Sequence, residues 1–343
     1  MAPASREALV AERLCGAAIR SVEVVTGGGN NQLWRVATAD RLYALKKYPD
    51  LEVDQRDRLG HEFAALSFLR ASGVTNVPAA YAADRQARYG LYEWIAGAAI
   101  PPETDAVGPM LEFMRRLHEL REAGGANGLP GAVGAVLTGR DLNDQLTIRL
   151  ERFAAATARA PELDRFLTDR FLPAWELARS ADRSRDAGVL TLTASDFGTH
   201  NMLRRDNGQV VFVDFEYFGW DDPVKVVSDV LWHPAMAIGA ADRQRFVTES
   251  TRIYGSDPTF AERLAARHAL FGLRWALIVL NEFLPLHWDR RRRAGQSDSW
   301  RAVKAQQLEK STNLVARAQA AAQRYADDGA AEALAVIGET PPA

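Results

Sequence analysis

The sequence predicts an α+β protein of two lobes: a small antiparallel sheet with one main helix over residues 1–95, and a larger, mostly helical lobe over 96–343. Three observations predict this. The first ninety-odd residues alternate with period two and break at glycine and polar turns, as an antiparallel meander does. Beyond Gly97 and Pro101-Pro102 the pattern becomes helical, in alanine-rich segments with charges interspersed. Finally, 343 residues exceed one ordinary compact domain, so two units are the starting expectation.

In chain order, Ser21–Thr26 is β-prone and is broken by Gly27-Gly28-Gly29-Asn30-Asn31. Leu33–Thr38 and Arg41–Tyr48 follow, joined by a short polar turn at Ala39-Asp40. Leu59, Phe63, Leu66 and Leu69 recur at helical spacing, and Ser72-Gly73 stops that helix. Val77-Pro78 begins another extended stretch, Leu91–Ile95 is a short strand, and Gly97 with the proline pair makes a hinge. Helices are expected over 104–122, 141–158, 161–182, 240–254, 259–284 and 299–326. Residues 188–219 are the exception and read as strand and loop, while the tail from Gly338 is expected to be disordered.

Composition narrows the class. Hydrophobic residues make up 47% and charged residues 25%, the balance of a soluble globular protein. A net charge of −2 gives no basic excess for nucleic acid or an anionic membrane. The single cysteine, Cys15, excludes an internal disulfide and fits a reducing cytosol. Glu7, Glu12 and Arg13 interrupt the apolar core a signal peptide would need. Trp275–Leu280 is far short of the roughly 20 residues that span a bilayer. A cytoplasmic protein is expected.

The informative segment is Asp196-Phe-Gly-Thr-His-Asn201, then a hairpin, then Asp214. Asn207-Gly208 predicts a two-residue type I′ turn. That turn pairs Asp206 with Gln209 and, continued outward, sets Asn201 opposite Asp214. Opposed residues have Cβ atoms about 4.5–5.5 Å apart, which suits two oxygen ligands of one magnesium ion. Asp196 leads into the hairpin, close enough in sequence to act on the same reacting group.

Asp196 and Asn201 followed by a strand and Asp214-Phe215 resemble the catalytic and metal-binding loops of the protein-kinase superfamily. Val213-Asp214-Phe215-Glu216 and Gly219-Trp220-Asp221-Asp222-Pro223 look like the aminoglycoside phosphotransferase and choline kinase branch. The resemblance implies a two-lobed, protein-kinase-like fold that uses ATP and Mg2+. It makes Asp196 the catalytic base that orients an acceptor hydroxyl, and Asn201 and Asp214 the residues that hold magnesium against the phosphates. One departure stands out: the branch usually carries His-Gly before the aspartate, and this chain carries Ala194-Ser195. His200 is read as structural, since its neighbour Asn201 fills the metal position.

The first lobe offers the parts that hold a nucleotide. In Leu42-Tyr-Ala-Leu-Lys-Lys47, alternation puts Ala44 and Lys46 on one face and Leu45 and Lys47 on the other. This strand resembles the kinase Val-Ala-Ile-Lys strand, which selects Lys46 for the phosphates; otherwise the pair is two solvated lysines. Glu62 shares a helix face with Leu66 and is placed to pair with Lys46, or else with Arg58 at the surface. Gly28, Gly29, Asn30 and Asn31 look like the loop that closes over the triphosphate in this branch. Backbone groups of Glu93 and Ile95, before the hinge, are expected to meet the adenine edge.

For the acceptor the sequence is less specific. Arg290–Arg293, Arg267 and Arg274 do not advertise a pocket for a polycation. Trp275, Asn281, Glu282, Trp288 and Trp300 could stack on and bond a polyol, although core packing accounts for most tryptophans. The expected acceptor is a small hydroxylated molecule: a sugar, amino sugar or amino alcohol. A kinase-like nucleotide-binding protein with little or no catalysis is the alternative.

Overall fold

The computed structural model describes residues 5–25, 31–101, 105–184, 188–234, 236, 238–293 and 298–339, and in places only their backbone. By contact the chain forms two compact units that interleave along the sequence. One gathers Met1–Thr104, Glu119–Gly134 and Leu192–Trp220; the other gathers Asp105–His118, Ala135–Thr191 and Asp221–Ala343.

In the first unit, β1 (Ser21–Val25), β2 (Gln32–Ala37), β3 (Leu42–Lys47), β4 (Ala80–Asp84) and β5 (Tyr89–Glu93) form one antiparallel sheet, ordered β1-β2-β3-β5-β4. Lys46 of β3 faces Leu33 on one side and Gly90 on the other. The charged N-terminal segment is a helix, α1 (Arg6–Cys15), which sequence alone did not indicate. Ser5 caps it by accepting from the Ala8 N–H, and Gly16 ends it at φ 67°. Its Val10 and Ala11 join Trp34, Val36, Leu45, Tyr89 and Leu91 in one core. The main helix, α2 (Arg58–Ala71), starts at Asp57, whose side chain accepts from the Gly60 N–H.

The same unit holds short strands from later in the chain. β6 (Ala98–Ala99) pairs with β8 (Met202–Arg204), and β8 with β9 (Val210–Phe212); β7 (Thr191–Thr193) and β10 (Gly219–Asp221) pair separately. The β8–β9 turn corrects the sequence reading. Met202 faces Phe212 and Arg204 faces Val210, one residue away from the expected register. The loop is three residues long, closed by Arg205 N–H to Gln209 O at 2.9 Å. Gly208 N–H donates to Arg205 O, and Gly208 alone in the turn has positive φ, at 82°. This is a type I turn followed by a left-handed glycine bulge, not type I′. Asn207 stays at ordinary φ because its Oδ1 accepts from the Gln209 N–H at 3.0 Å.

In the second unit, α3 (Val107–Leu120), α4 (Gly139–Thr157), α8 (Ala240–Ile253) and α11 (Trp300–Asp328) lie where helices are expected, although α3 runs two residues past that unit. The stretch 161–182 is α5 (Pro161–Phe166) and α6 (Leu172–Ala181), joined by a π-turn at Leu167–Phe171. α9 (Phe260–Val279) gives way to a 3₁₀ turn before Leu284. Three further helices are α7 (Pro223–Trp232), α10 (Pro285–Arg293) and α12 (Ala330–Glu339). α12 runs past Gly338, where disorder is expected, and the residues beyond Glu339 lie outside those described. No helix among the described residues is long and apolar enough to cross a membrane.

Candidate active site

The site grows from three local structures in the first unit: strand β3, helix α2 and the loops at the ends of the β8–β9 hairpin. Lys46 ends the alternation of β3 pointing inward, and its ammonium donates to Glu62 Oε2 at 2.7 Å and to Asp214 Oδ1 at 2.6 Å. Glu62 reaches it from the buried face of α2. Lys47 points away and pairs with the exposed Asp50 at 2.8 Å. Arg58 is buried and bonds Asp54 and Glu216, so the surface pair between Arg58 and Glu62 is not formed.

Tyr48 secures the far side of Glu62, donating to Oε2 at 2.5 Å while sharing a hydrogen bond with Tyr92 at 2.8 Å. The Phe215 N–H approaches Glu62 Oε1 at 3.4 Å. Burial would lower the Lys46 pKa, but the charges of Glu62, Asp214 and Glu216 outweigh it and hold the ammonium firmly protonated. Burial pushes the Glu62 carboxyl up, against the pull of Lys46. Burial and then the Glu62 charge raise Tyr48 well above the usual phenol value, so it remains a donor.

Asp214 sits two residues beyond the β9 ladder, at φ 66°. The shifted register puts Val213, not Asp214, against Asn201: the Val213 N–H donates to Asn201 O at 2.9 Å. The expected facing of Asn201 and Asp214 across the hairpin is therefore absent. The left-handed backbone turns Asp214 out of the ladder, and its carboxylate reaches Lys46 instead. An aspartate tolerates this region better than most residues, but the conformation still costs energy of order 1–3 kcal/mol, typical of functional sites.

The Asp196 loop is tied to itself. Asn201 Nδ2 donates to Asp196 O at 3.0 Å, which leaves Asn201 Oδ1 turned the other way. His200 Nε2 lies 3.2 Å from Asp196 Oδ1. That hydrogen bond raises the histidine's pKa against burial, helped by the charges of Asp196 and Asp214. Ser195 has φ 65°. This is the position where the family resemblance leads one to expect glycine, and the left-handed region is where glycine is most comfortable. Ser195 is held there with its N–H on Thr193 Oγ1 at 3.0 Å.

One residue of this cluster was given no role in the sequence reading. Glu216, buried, accepts from Arg58 Nη1 at 2.6 Å and from Asn31 Nδ2 at 2.5 Å, and lies 3.9 Å from Lys46 Nζ. The sequence signal for it was its place in the Val213-Asp214-Phe215-Glu216 motif, two residues after Asp214. Glu62, Asp214 and Glu216 bring carboxylate oxygens within 4.8 Å of one another, an arrangement able to hold a cation. Gly28, Gly29 and Asn30 lie outside the described residues. At the hinge the Glu93 N–H is taken by Ala79 O at 2.8 Å, and its side chain bonds Arg205. Ile95 is buried just beyond.

The acceptor candidates lie in the second unit and are largely structural. Arg267 is buried against Asp182, and Arg274 and Trp275 both bond Asp229. Trp288 and Trp300 stack at 5.8 Å, and Trp300 Nε1 donates to Glu282 O. Glu282 Oε1 accepts from Arg291 at 2.6 Å, while its buried Oε2 has no partner among the described residues. Asn281 is half-buried at the 3₁₀ turn.

The pattern of the phosphotransferase enzyme family matches residues 21–266. No curated protein matches the chain by sequence. Among solved structures, a Ralstonia eutropha protein provisionally called an aminoglycoside phosphotransferase aligns with TM-score 0.62 at 14% identity, over 92% of this chain and 97% of that one. Spectinomycin phosphotransferase aligns with TM-score 0.60 at 12% identity, over 94% and 99%. Choline kinase from Streptococcus pneumoniae aligns with TM-score 0.54 at 15% identity, over 90% and 98%. At such identities these likenesses speak for the fold, which is the two-lobed, protein-kinase-like one. The family pattern spans well over half of the sequence, and the chain belongs to the phosphotransferase enzyme family as a small-molecule kinase.

Proposed function

We propose that the enzyme moves the γ-phosphoryl group of ATP to a hydroxyl of a sugar, amino sugar or amino alcohol, with magnesium. The observation that carries this reading is Lys46 bonded to both Glu62 and Asp214, within the unit that also holds the Asp196–Asn201 loop. Lys46 is the cation for the nucleotide phosphates, and Glu62 holds it extended. Asp196 orients the acceptor hydroxyl and takes up its proton, with His200 Nε2 3.2 Å from its Oδ1. Residues 1–95 then serve as the ATP-binding lobe, with the Glu93 carbonyl and the Ile95 backbone at the adenine edge. Asn31, and by resemblance Gly28, Gly29 and Asn30, cover the phosphates.

The donor set fits magnesium. Asp214 is about a third exposed and commits one oxygen to Lys46; Asn201 commits its nitrogen and keeps its oxygen. These two residues would hold the ion, which supplies charge neutralisation of the triphosphate when bound. Solved relatives in complexes with ADP and spectinomycin, and with AMP, support a nucleotide and a small polar acceptor.

The test is ATP turnover against a panel of hydroxylated metabolites, with magnesium and with chelator. Phosphorylated product that requires magnesium is the expected result. ATP binding without turnover on any acceptor would favour the kinase-like, non-catalytic alternative.

A further inference from the structure

The Lys46 cluster contains more acid than base at its centre, and one arginine, Arg58, pairs with the third of its acids. Three carboxylates, Glu62, Asp214 and Glu216, converge within 4.8 Å of one another. A lysine ammonium has three protons to donate. Glu62 and Asp214 take two of them, at 2.7 and 2.6 Å. Glu216 Oε2 stops at 3.9 Å, beyond hydrogen-bond reach.

What stops it is visible. Arg58 donates Nη1 to Glu216 Oε1 at 2.6 Å, and Asn31 donates Nδ2 to Oε2 at 2.5 Å. Arg58 is itself fixed, because Nε and Nη2 both hold Asp54 Oδ2, at 2.9 and 2.6 Å. Arg58 and Glu216 are both buried, so neither can trade this pair for water. Without the guanidinium, the nearest cation to the Glu216 charge is Lys46.

We propose that Arg58 is a positioning residue for phosphotransfer: with Asn31 it holds Glu216 off Lys46, and so keeps the third ammonium proton for a nucleotide phosphate. This rests on the reading of Lys46 as the phosphate ligand. It adds a residue at the first turn of α2 that never touches the nucleotide.

The experiment measures ATP affinity without metal, by calorimetry in chelator, for wild type, Arg58→Met, Arg58→Lys, Glu216→Gln and Arg58→Met/Glu216→Gln. Chelator removes any effect of these residues on magnesium. Arg58→Met should weaken binding about tenfold or more, the worth of one hydrogen bond to a charged group. Arg58→Lys, which keeps the charge but not the fork, should lose less. Neutralising the competitor should then restore the affinity, so the double variant binds more tightly than Arg58→Met alone. A merely structural arginine would not be rescued by a second loss.

Arg58→Met binding ATP like the wild type overturns the proposal, and so does failure of Glu216→Gln to rescue it. If Arg58→Met does not fold, Glu216→Gln alone decides: weaker metal-free binding than wild type would make Glu216 a nucleotide ligand and overturn it, and retained binding supports it. Absence of ATP binding by the wild type would instead sink the underlying reading of Lys46.

Discussion

Lys46 and Lys225 are both almost fully buried, and each lies against more than one carboxylate. Lys46 holds Glu62 and Asp214 at 2.7 and 2.6 Å. Lys225, on α7, lies 3.6 Å from Asp221 and 3.3 Å from Asp229. The difference is in the partners. Asp221 and Asp229 are sealed: Asp221 Oδ1 accepts from the Val136 and Asp222 N–H groups, and Asp229 from Arg274 and Trp275. Asp214, by contrast, is 35% exposed and stands on a left-handed backbone. A buried lysine whose acids are all enclosed acts as a strut for helices. One whose acid opens to solvent can exchange that partner for a ligand.

The sharpest break of the comparison is to remove chemistry without removing structure. Asp196→Asn keeps the shape of the loop, including the backbone carbonyl that Asn201 bonds. It should lower turnover about 10²–10⁴-fold, as loss of a general base does, with ATP affinity largely kept. Full activity on the true acceptor would remove Asp196 from its role.

Next come the two lysines themselves. Lys225→Met leaves Asp221 and Asp229 enclosed with one cation fewer, and should cost about 3–5 kcal/mol of unfolding free energy. Lys46→Met should cost less stability, because Asp214 can be hydrated, but should abolish ATP-dependent turnover. Denaturant unfolding and kinetics on both proteins decide it. Equal stability losses, or a Lys46→Met enzyme that still turns over, would erase the distinction between strut and site.

A smaller effect sharpens the sealed side. Burial raises Asp221 from the usual carboxylate range to about 6, despite Lys225. A folded-state pKa above the unfolded one contributes stability that is full at low pH and lost as pH rises through the folded value. Wild type should therefore lose on the order of 2–3 kcal/mol relative to Asp221→Asn between about pH 4 and pH 6.5. Unfolding titrations of both proteins across that range measure it. A difference that stays flat with pH would show that Asp221 is already ionised throughout.

The same contrast explains what could be read from sequence. Period-two alternation put Lys46 and Lys47 on opposite faces, the likeness to the kinase strand chose Lys46, and helical spacing put Glu62 on the inner face. The hairpin register did not yield, because Asn-Gly serves both a type I′ turn and a type I turn with a glycine bulge. Here the Asn207 side chain satisfies Gln209 and selects the second. Arg58 and Glu216 were hidden for another reason: their pairing joins residues far apart in sequence and follows no periodicity. α7 escaped because it is buried on every side, so it shows no polar face to mark its period. The site residues set by one strand or one helix were legible. Those set by tertiary pairing were not.

The smallest expected effect tests that strand rule directly. Lys47 is the neighbour of Lys46 on β3, carries the same charge and differs only in which face it occupies. It pairs with Asp50, whose side chain is 67% exposed, and its ammonium lies 5.5 Å from the Tyr89 ring. Exposed pairs of this kind contribute about 0.2–1 kcal/mol. Lys47→Ala should therefore shift stability by no more than that, with ATP-dependent kinetics close to wild type. Lys46→Ala and Glu62→Ala should each impair turnover, and their double variant should lose less than the sum, because either change already breaks the same pair. Kinetics of the four variants, with circular dichroism to confirm folding, give the comparison. If Lys47→Ala were the damaging change, the working face of β3 would be the other one. Lys46, Glu62 and Asp214 would then be a second sealed strut like Lys225.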